Sequence, residues 1–172
     1  MKNIVLTGFM GTGKTEASKL LAEKLKIKRL CLDDMIGWRV GKPIPEIFKE
    51  DGEEYFRKIE SEIVVAVSKD KNVVIDAGGG AIINENNYKH LKEHGVIFCL
   101  TASVDVIIQR TQGYTHRPLL DAEDPRNKIV QLLKERQKFY IKADHTIDTT
   151  NLTSGDVADK IIEYIKRTVS KP

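Results

Sequence analysis

Only two cysteines occur in the 172 residues, Cys31 and Cys99. They stand far apart and outside any CxxC or zinc spacing, which argues against a disulfide framework and for free thiols in a reducing, cytoplasmic setting. No apolar run approaches the roughly eighteen residues that a membrane span requires. The apolar stretch at the start, Met1 to Thr7, lacks a small-residue cleavage site and reads as a strand rather than a signal peptide. Nor is there an excess of one charge: 28 Lys and Arg against 25 Asp and Glu give a net charge of +3, with both signs mixed along the chain. That mixing gives no nucleic-acid footprint, although basic residues can still converge on a small anionic ligand such as a phosphate. No repeat or low-complexity tract interrupts the chain, and no heptad or extended apolar stripe calls for a second copy, so a monomer is expected.

What is present is an alternation of strand and helix patterns. Residues 3–7, 29–32, 73–75, 96–100 and 145–147 read as strands; residues 14–25, 52–68, 84–93, 103–111, 125–141 and 155–168 carry helical periodicity. This predicts an α/β fold of three layers, a parallel sheet between helices, in a single domain over 1–172. Two segments break the alternation. Residues 33–51 contain Gly41, Pro43 and Pro45 and read as a small helical insertion. Residues 112–124 are polar and aperiodic, as expected of a lid that closes over a reacting centre.

Gly8-Phe9-Met10-Gly11-Thr12-Gly13-Lys14-Thr15 satisfies G-x-x-x-x-G-K-[ST], with a strand before it and a helix after it. The glycines let successive N–H groups of Gly11, Thr12 and Gly13 face phosphate oxygens, and the start of the next helix adds its positive end. Lys14 is placed to reach the β- and γ-phosphates, Thr15 to offer a hydroxyl to magnesium, and Glu16 to flank the nucleotide. The expected ligands are therefore ATP and Mg2+, with the γ-phosphate passing to a small metabolite.

Groups for that second substrate are less sharply marked. Asp33-Asp34 follows the second strand, where ligands sit in open α/β sheets. A carboxylate there either orients an acceptor hydroxyl or caps the next helix. Arg136 falls on the apolar face set by Ile129, Leu132, Leu133 and Tyr140, so it requires an acidic partner or an anionic ligand. On the helix at 52–68 Glu60 falls within the stripe of Phe56, Ile59, Ile63 and Val67, beside Arg57. A buried Arg–Glu cluster follows, serving either a ligand or a purely structural ion network. Val73-Val74-Ile75-Asp76 runs into Ala77 and three glycines, which permits close backbone approach. Asp76 is placed either near the magnesium shell or as a cap of the turn. Arg117, before Pro118, is placed to swing onto the transferring phosphate.

Together these residues resemble the shikimate kinase family over nearly the whole chain. The similar elements are GFMGTGKT, Asp33, Ile47-Phe48 followed by Gly52-Glu53 and Phe56-Arg57-Lys58-Ile59-Glu60, the glycines 78–80, Arg117-Pro118-Leu119-Leu120, and Arg136 followed by Tyr140. The resemblance implies a P-loop kinase fold with strand order 2-3-1-4-5, residues 33–60 as the substrate-binding segment and 112–124 as the lid. It further implies that Arg57, Arg136 and the Gly79 backbone hold the substrate carboxylate and hydroxyls, that Asp33 engages the hydroxyls, that Arg110 lies against the adenine, and that Arg117 is the lid arginine on ATP. The chain departs from the family pattern at Cys31, where the first acid of an Asp-x-Asp pair usually stands, at Asp76, where a small or hydroxylic residue is usual, and near Ser154, where a proline is usual.

The implied reaction is transfer of the ATP γ-phosphate to the 3-hydroxyl of shikimate, in the aromatic amino acid pathway, with Lys14, Asp33 and Arg117 carrying the chemistry. Two other readings stand beside it: a kinase for a related polyol acid such as gluconate, and a nucleotide-binding regulator without turnover. Arg57 and Arg136 favour a carboxylated acceptor over a nucleoside, and retention of Lys14, Thr15, Asp33 and Arg117 speaks against loss of turnover.

Overall fold

The computed structural model describes residues 2–112 and 124–169. Its first strand, β1 (Asn3–Gly8), is buried at every position, as befits the centre of a sheet covered on both faces. The others are β2 (Lys28–Cys31), β3 (Val73–Asp76), β4 (Gly95–Thr101) and β5 (His145–Asp148). All pair in parallel in the order β2-β3-β1-β4-β5, the order the family resemblance implies.

Successive side chains of a strand point to opposite faces, and the core divides accordingly. Val5, Ile75, Ile97 and Cys99 pack on one side with Ile59, Ile63 and Val67 of α4 (Gly52–Ser68) and with Leu91 of α5 (Glu85–His94). Ile4, Leu6, Val74, Phe98 and Leu100 pack on the other with Ala17 and Leu21 of α1 (Lys14–Leu25) and with Val157 and Ile161 of α8 (Ser154–Val169). These are the three layers that the alternation predicts. No helix among the described residues is long and apolar enough to cross a membrane.

The insertion after β2 is two helices, α2 (Leu32–Val40) and α3 (Ile44–Glu50). Gly41 ends α2 in the left-handed conformation at φ 75°, and Pro43 precedes α3 with the extended backbone that an N-cap needs. α2 begins at Leu32, directly after the strand, and Cys31 is its N-cap residue without any side-chain cap bond. Capping by Asp33 or Asp34 is thereby overturned: both carboxylates lie in the first helical turn, beyond the position whose side chain can reach back to the free N–H groups. Trp38, the chain's one tryptophan, projects from α2 with 82% of its surface exposed. The remaining helices, α6 (Val104–Thr111) and α7 (Pro125–Tyr140), flank the segment expected to form the lid. Residues 113–123, Arg117 among them, lie outside the described residues.

Candidate active site

The sheet's topology places the site. β1 lies between β3 and β4, and the phosphate loop leaves its carboxyl end towards α1. At Gly8 the backbone takes φ 134°, and a side chain there would run into the Leu100 carbonyl of β4, so only glycine lets the loop leave the sheet at this point. The loop is then folded onto one carbonyl: Phe9 O accepts from the Thr12 hydroxyl at 2.7 Å and from Lys14 Nζ at 2.8 Å. Lys14 is 9% exposed, so its charge is held by the loop whose phosphate it is expected to meet. Thr15 and Glu16 open α1 on its exposed side.

Arg110 on α6 joins the loop to the turn after β5. Its guanidinium donates to Gly11 O at 3.3 Å and to the Thr149 hydroxyl and carbonyl at 3.1 and 2.9 Å. The buried Thr149 hydroxyl stands 3.0 Å from Thr12 O. Nothing in the sequence pattern marks Thr149; it becomes visible only when β5 is placed beside β4.

Opposite the loop, α4 and α7 face the glycine turn. Arg57 Nη1 donates to both oxygens of Glu60 at 3.1 and 2.9 Å, and Nη2 reaches Glu53 at 3.3 Å. Glu60 is 3% exposed. Burial pushes its carboxyl above the usual range, and Arg57, then Arg136, pull it back. Arg136 is 9% exposed, with its guanidinium over the Phe9 ring at 5.5 Å. The buried Arg–Glu cluster expected from the helical stripes is therefore present. The turn between these groups is tight: a Cβ at Gly79 would stand 2.7 Å from the Gly8 carbonyl oxygen, a backbone atom that cannot readily give way, and one at Gly80 would displace the Arg57 guanidinium. Asp33 lies beside the same turn, its Oδ1 3.6 Å from where a Gly78 side chain would begin.

Asp76 ends β3 with 4% exposure, and its Oδ2 accepts from Arg29 Nη2 at 2.8 Å and from Ser18 Oγ at 3.2 Å. Arg29 Nε also donates to Ser18 Oγ at 2.6 Å. These partners come from β2 and α1, so the side chain does not cap the glycine turn. Arg29 and Ser18 escaped sequence reasoning because neither belongs to a motif. Cys31 is the register partner of Asp76 on the neighbouring strand. Burial pushes its thiol up to about 11.

These elements enclose one cleft of about 730 Å³, a size suited to small ligands. Its wall includes Gly11, Thr12, Gly13, Lys14, Thr15, Glu16 and Arg110 at one end, Asp33, Arg57, Gly79 and Arg136 at the other, and Cys31 and Asp76 between. Every expected site residue among the described residues is thus brought to a single cavity. Among the described residues no group of three or more His, Cys, Asp and Glu side chains could hold a metal on its own. The arrangement suits an ion carried mainly by phosphates and water, since magnesium keeps several waters and takes few protein ligands.

Comparison with known proteins agrees with this geometry. The shikimate kinase family model matches residues 10–166. The shikimate kinase of Thermodesulfovibrio yellowstonii is 48% identical over 167 residues, 97% of this chain and 96% of the relative. That of Caldanaerobacter subterraneus is 46% identical, with 96% and 98% covered. Among solved structures, the shikimate kinase from Acinetobacter baumannii in complex with shikimate superposes with a TM-score of 0.95 at 37% identity, covering 99% of this chain and 96% of that one. The Aquifex aeolicus enzyme gives 0.82 at 32% identity, with 99% of each chain covered. On its sequence, its fold and the residues around its cleft, the chain belongs to the shikimate kinase family.

Proposed function

We infer that the protein transfers the γ-phosphate of ATP to the 3-hydroxyl of shikimate, giving ADP and shikimate 3-phosphate. The observation that carries this is the convergence of two arginines, Arg57 and Arg136, with Asp33 on the same cleft as the phosphate loop. Paired guanidinium groups bind a carboxylate in a planar, bidentate way that neither a nucleoside nor a neutral sugar can use. In the transfer, the acceptor oxygen forms a bond to the γ-phosphorus, the bond from that phosphorus to the β,γ-bridging oxygen breaks, and the hydroxyl proton leaves towards Asp33. Lys14 and the loop N–H groups meet the charge on the phosphates, Arg110 steadies the nucleotide end, and Arg117 completes the site from the lid.

Magnesium, when bound, neutralises phosphate charge; Thr15 and Asp76 are the groups that would hold it, Asp76 through water. The carboxylate usual at position 31 is replaced by a thiol, a poor magnesium ligand, and the acid at 76 stands one strand nearer the phosphate loop, in register with it. On this reading Asp76→Ala weakens Mg2+-dependent ADP binding in calorimetry, and Cys31→Asp in that background restores part of it. Wild-type magnesium dependence in both variants would make Asp76 purely structural. A monomer working in the cytoplasm, without nucleic-acid or membrane partners, completes the reading.

The deciding assay is coupled ADP release with shikimate, gluconate and nucleoside monophosphates in parallel. Turnover on shikimate alone is expected; gluconate turnover replaces the acceptor, and binding of ATP with no turnover on any of them leaves a regulator. Arg117→Ala should lower turnover far more than it lowers binding of shikimate alone.

A further inference from the structure

Two hydroxyl groups that do not line the cleft hold the glycine turn from behind. Thr7, fully buried on β1, donates to Gly78 O at 3.0 Å. Tyr140, 7% exposed on α7, donates to Gly79 O at 3.0 Å. Burial pushes its phenol up to about 12, so the proton it donates is present throughout the neutral range. The peptides here are trans, and in a planar trans peptide the C=O and the following N–H point in opposite directions. Pinning Gly78 O to Thr7 therefore turns the Gly79 N–H away from β1, and pinning Gly79 O to Tyr140 turns the Gly80 N–H away from α7. The turn's own backbone bonds, Ala77 N–H to Leu6 O and Ile83 N–H to Gly80 O, use neither of these groups. All three glycines line the cleft.

We propose that Thr7 and Tyr140 are positioning residues that aim the Gly79 and Gly80 N–H groups, as a pair, at an oxygen of the acceptor. This rests on the reading of the acceptor as shikimate. Fixed donors cost no reorganisation when the ligand arrives, and each carbonyl that accepts a hydrogen bond makes the following N–H a better donor.

The test compares Thr7→Val, Thr7→Ser and Tyr140→Phe with wild type, all in the full chain. Calorimetry with shikimate is expected to show about three- to tenfold weaker binding for Thr7→Val and for Tyr140→Phe, the worth of one neutral hydrogen bond. ADP affinity stays at the wild-type value, and Thr7→Ser, which restores the hydroxyl, recovers the lost affinity. In ligand-free NMR spectra the Gly79 amide shifts in Thr7→Val and the Gly80 amide in Tyr140→Phe. Unmoved amides, unchanged shikimate affinity in both variants, or a parallel loss of ADP affinity overturns the proposal. A wild type that ignores shikimate would instead overturn the functional reading, and the amide shifts would still decide whether the two hydroxyls aim the turn.

Discussion

At one end of the cleft the wall is a short loop fastened to the central strand, carrying Lys14 and reached from α6 by Arg110. At the other end it is the glycine turn together with side chains from α2, α4 and α7, brought together across long stretches of sequence, with Arg57 held on Glu60. The first end needs glycine for its shape and very little else. The second needs particular charges at particular depths, and a buried charge deprived of its partner costs far more than a surface one. On the functional reading proposed above, the phosphate is met mainly by the loop, and the acceptor by side chains together with the glycine-turn backbone.

Substitutions that separate the two ends test this contrast. The largest effect is expected for Lys14→Met, which removes a charge from the transferring phosphate: kcat should fall by about two to three orders of magnitude, while calorimetry finds shikimate binding without nucleotide unchanged. If acceptor binding fell as well, the two ends would not be separable. Arg136→Lys should weaken shikimate binding by about ten- to a hundredfold, because lysine cannot form the planar two-point contact, with ADP affinity as in wild type.

Glu60 offers a pH test. Its folded pKa lies above its ordinary value of 4.5, chiefly through burial. The native state therefore holds that proton more tightly than the unfolded chain does, so as pH rises above that ordinary value stability is lost. Denaturant unfolding across this window should show a flatter pH dependence for Glu60→Gln than for wild type, and an equal slope would mean that the Arg57 partnership offsets burial and leaves no net shift. The smallest effect concerns the thiols. With burial raising Cys31 from 9.0 to about 11, its thiolate at neutral pH is about a hundredfold scarcer than for an ordinary cysteine. Alkylation of the native protein, followed by mass spectrometry, should be correspondingly slow, and slower still at Cys99, pushed up to about 12.

The same contrast governs what was legible in the sequence. The phosphate loop could be read because its chemistry is local: spacing of glycines, a strand before, a helix after. Arg136 and Glu60 could be read as well, because a charge on an apolar helical face betrays itself through periodicity. The roles of Thr7, Ser18, Arg29 and Thr149 could not, since each depends on which strand lies beside which. Arg29 meets Asp76 only because β2 pairs with β3; Thr149 meets Thr12 only because β5 closes the sheet beyond β4. Asp33 was narrowed rather than found: the sequence left it between helix cap and acceptor ligand, and the start of α2 at Leu32 removed the cap.

Trp38 gives this division a practical form. It is the chain's one indole, and it stands on α2 with most of its surface in water. Every change in tryptophan emission therefore originates at α2, the helix that carries Asp33, whatever ligand provokes it. Titration with shikimate and titration with nucleotide can then be compared on one unlabelled sample. The signal reports on the solvent around α2 in both cases, so an optical response to ADP alone would be direct observation of one end of the cleft sensing the other.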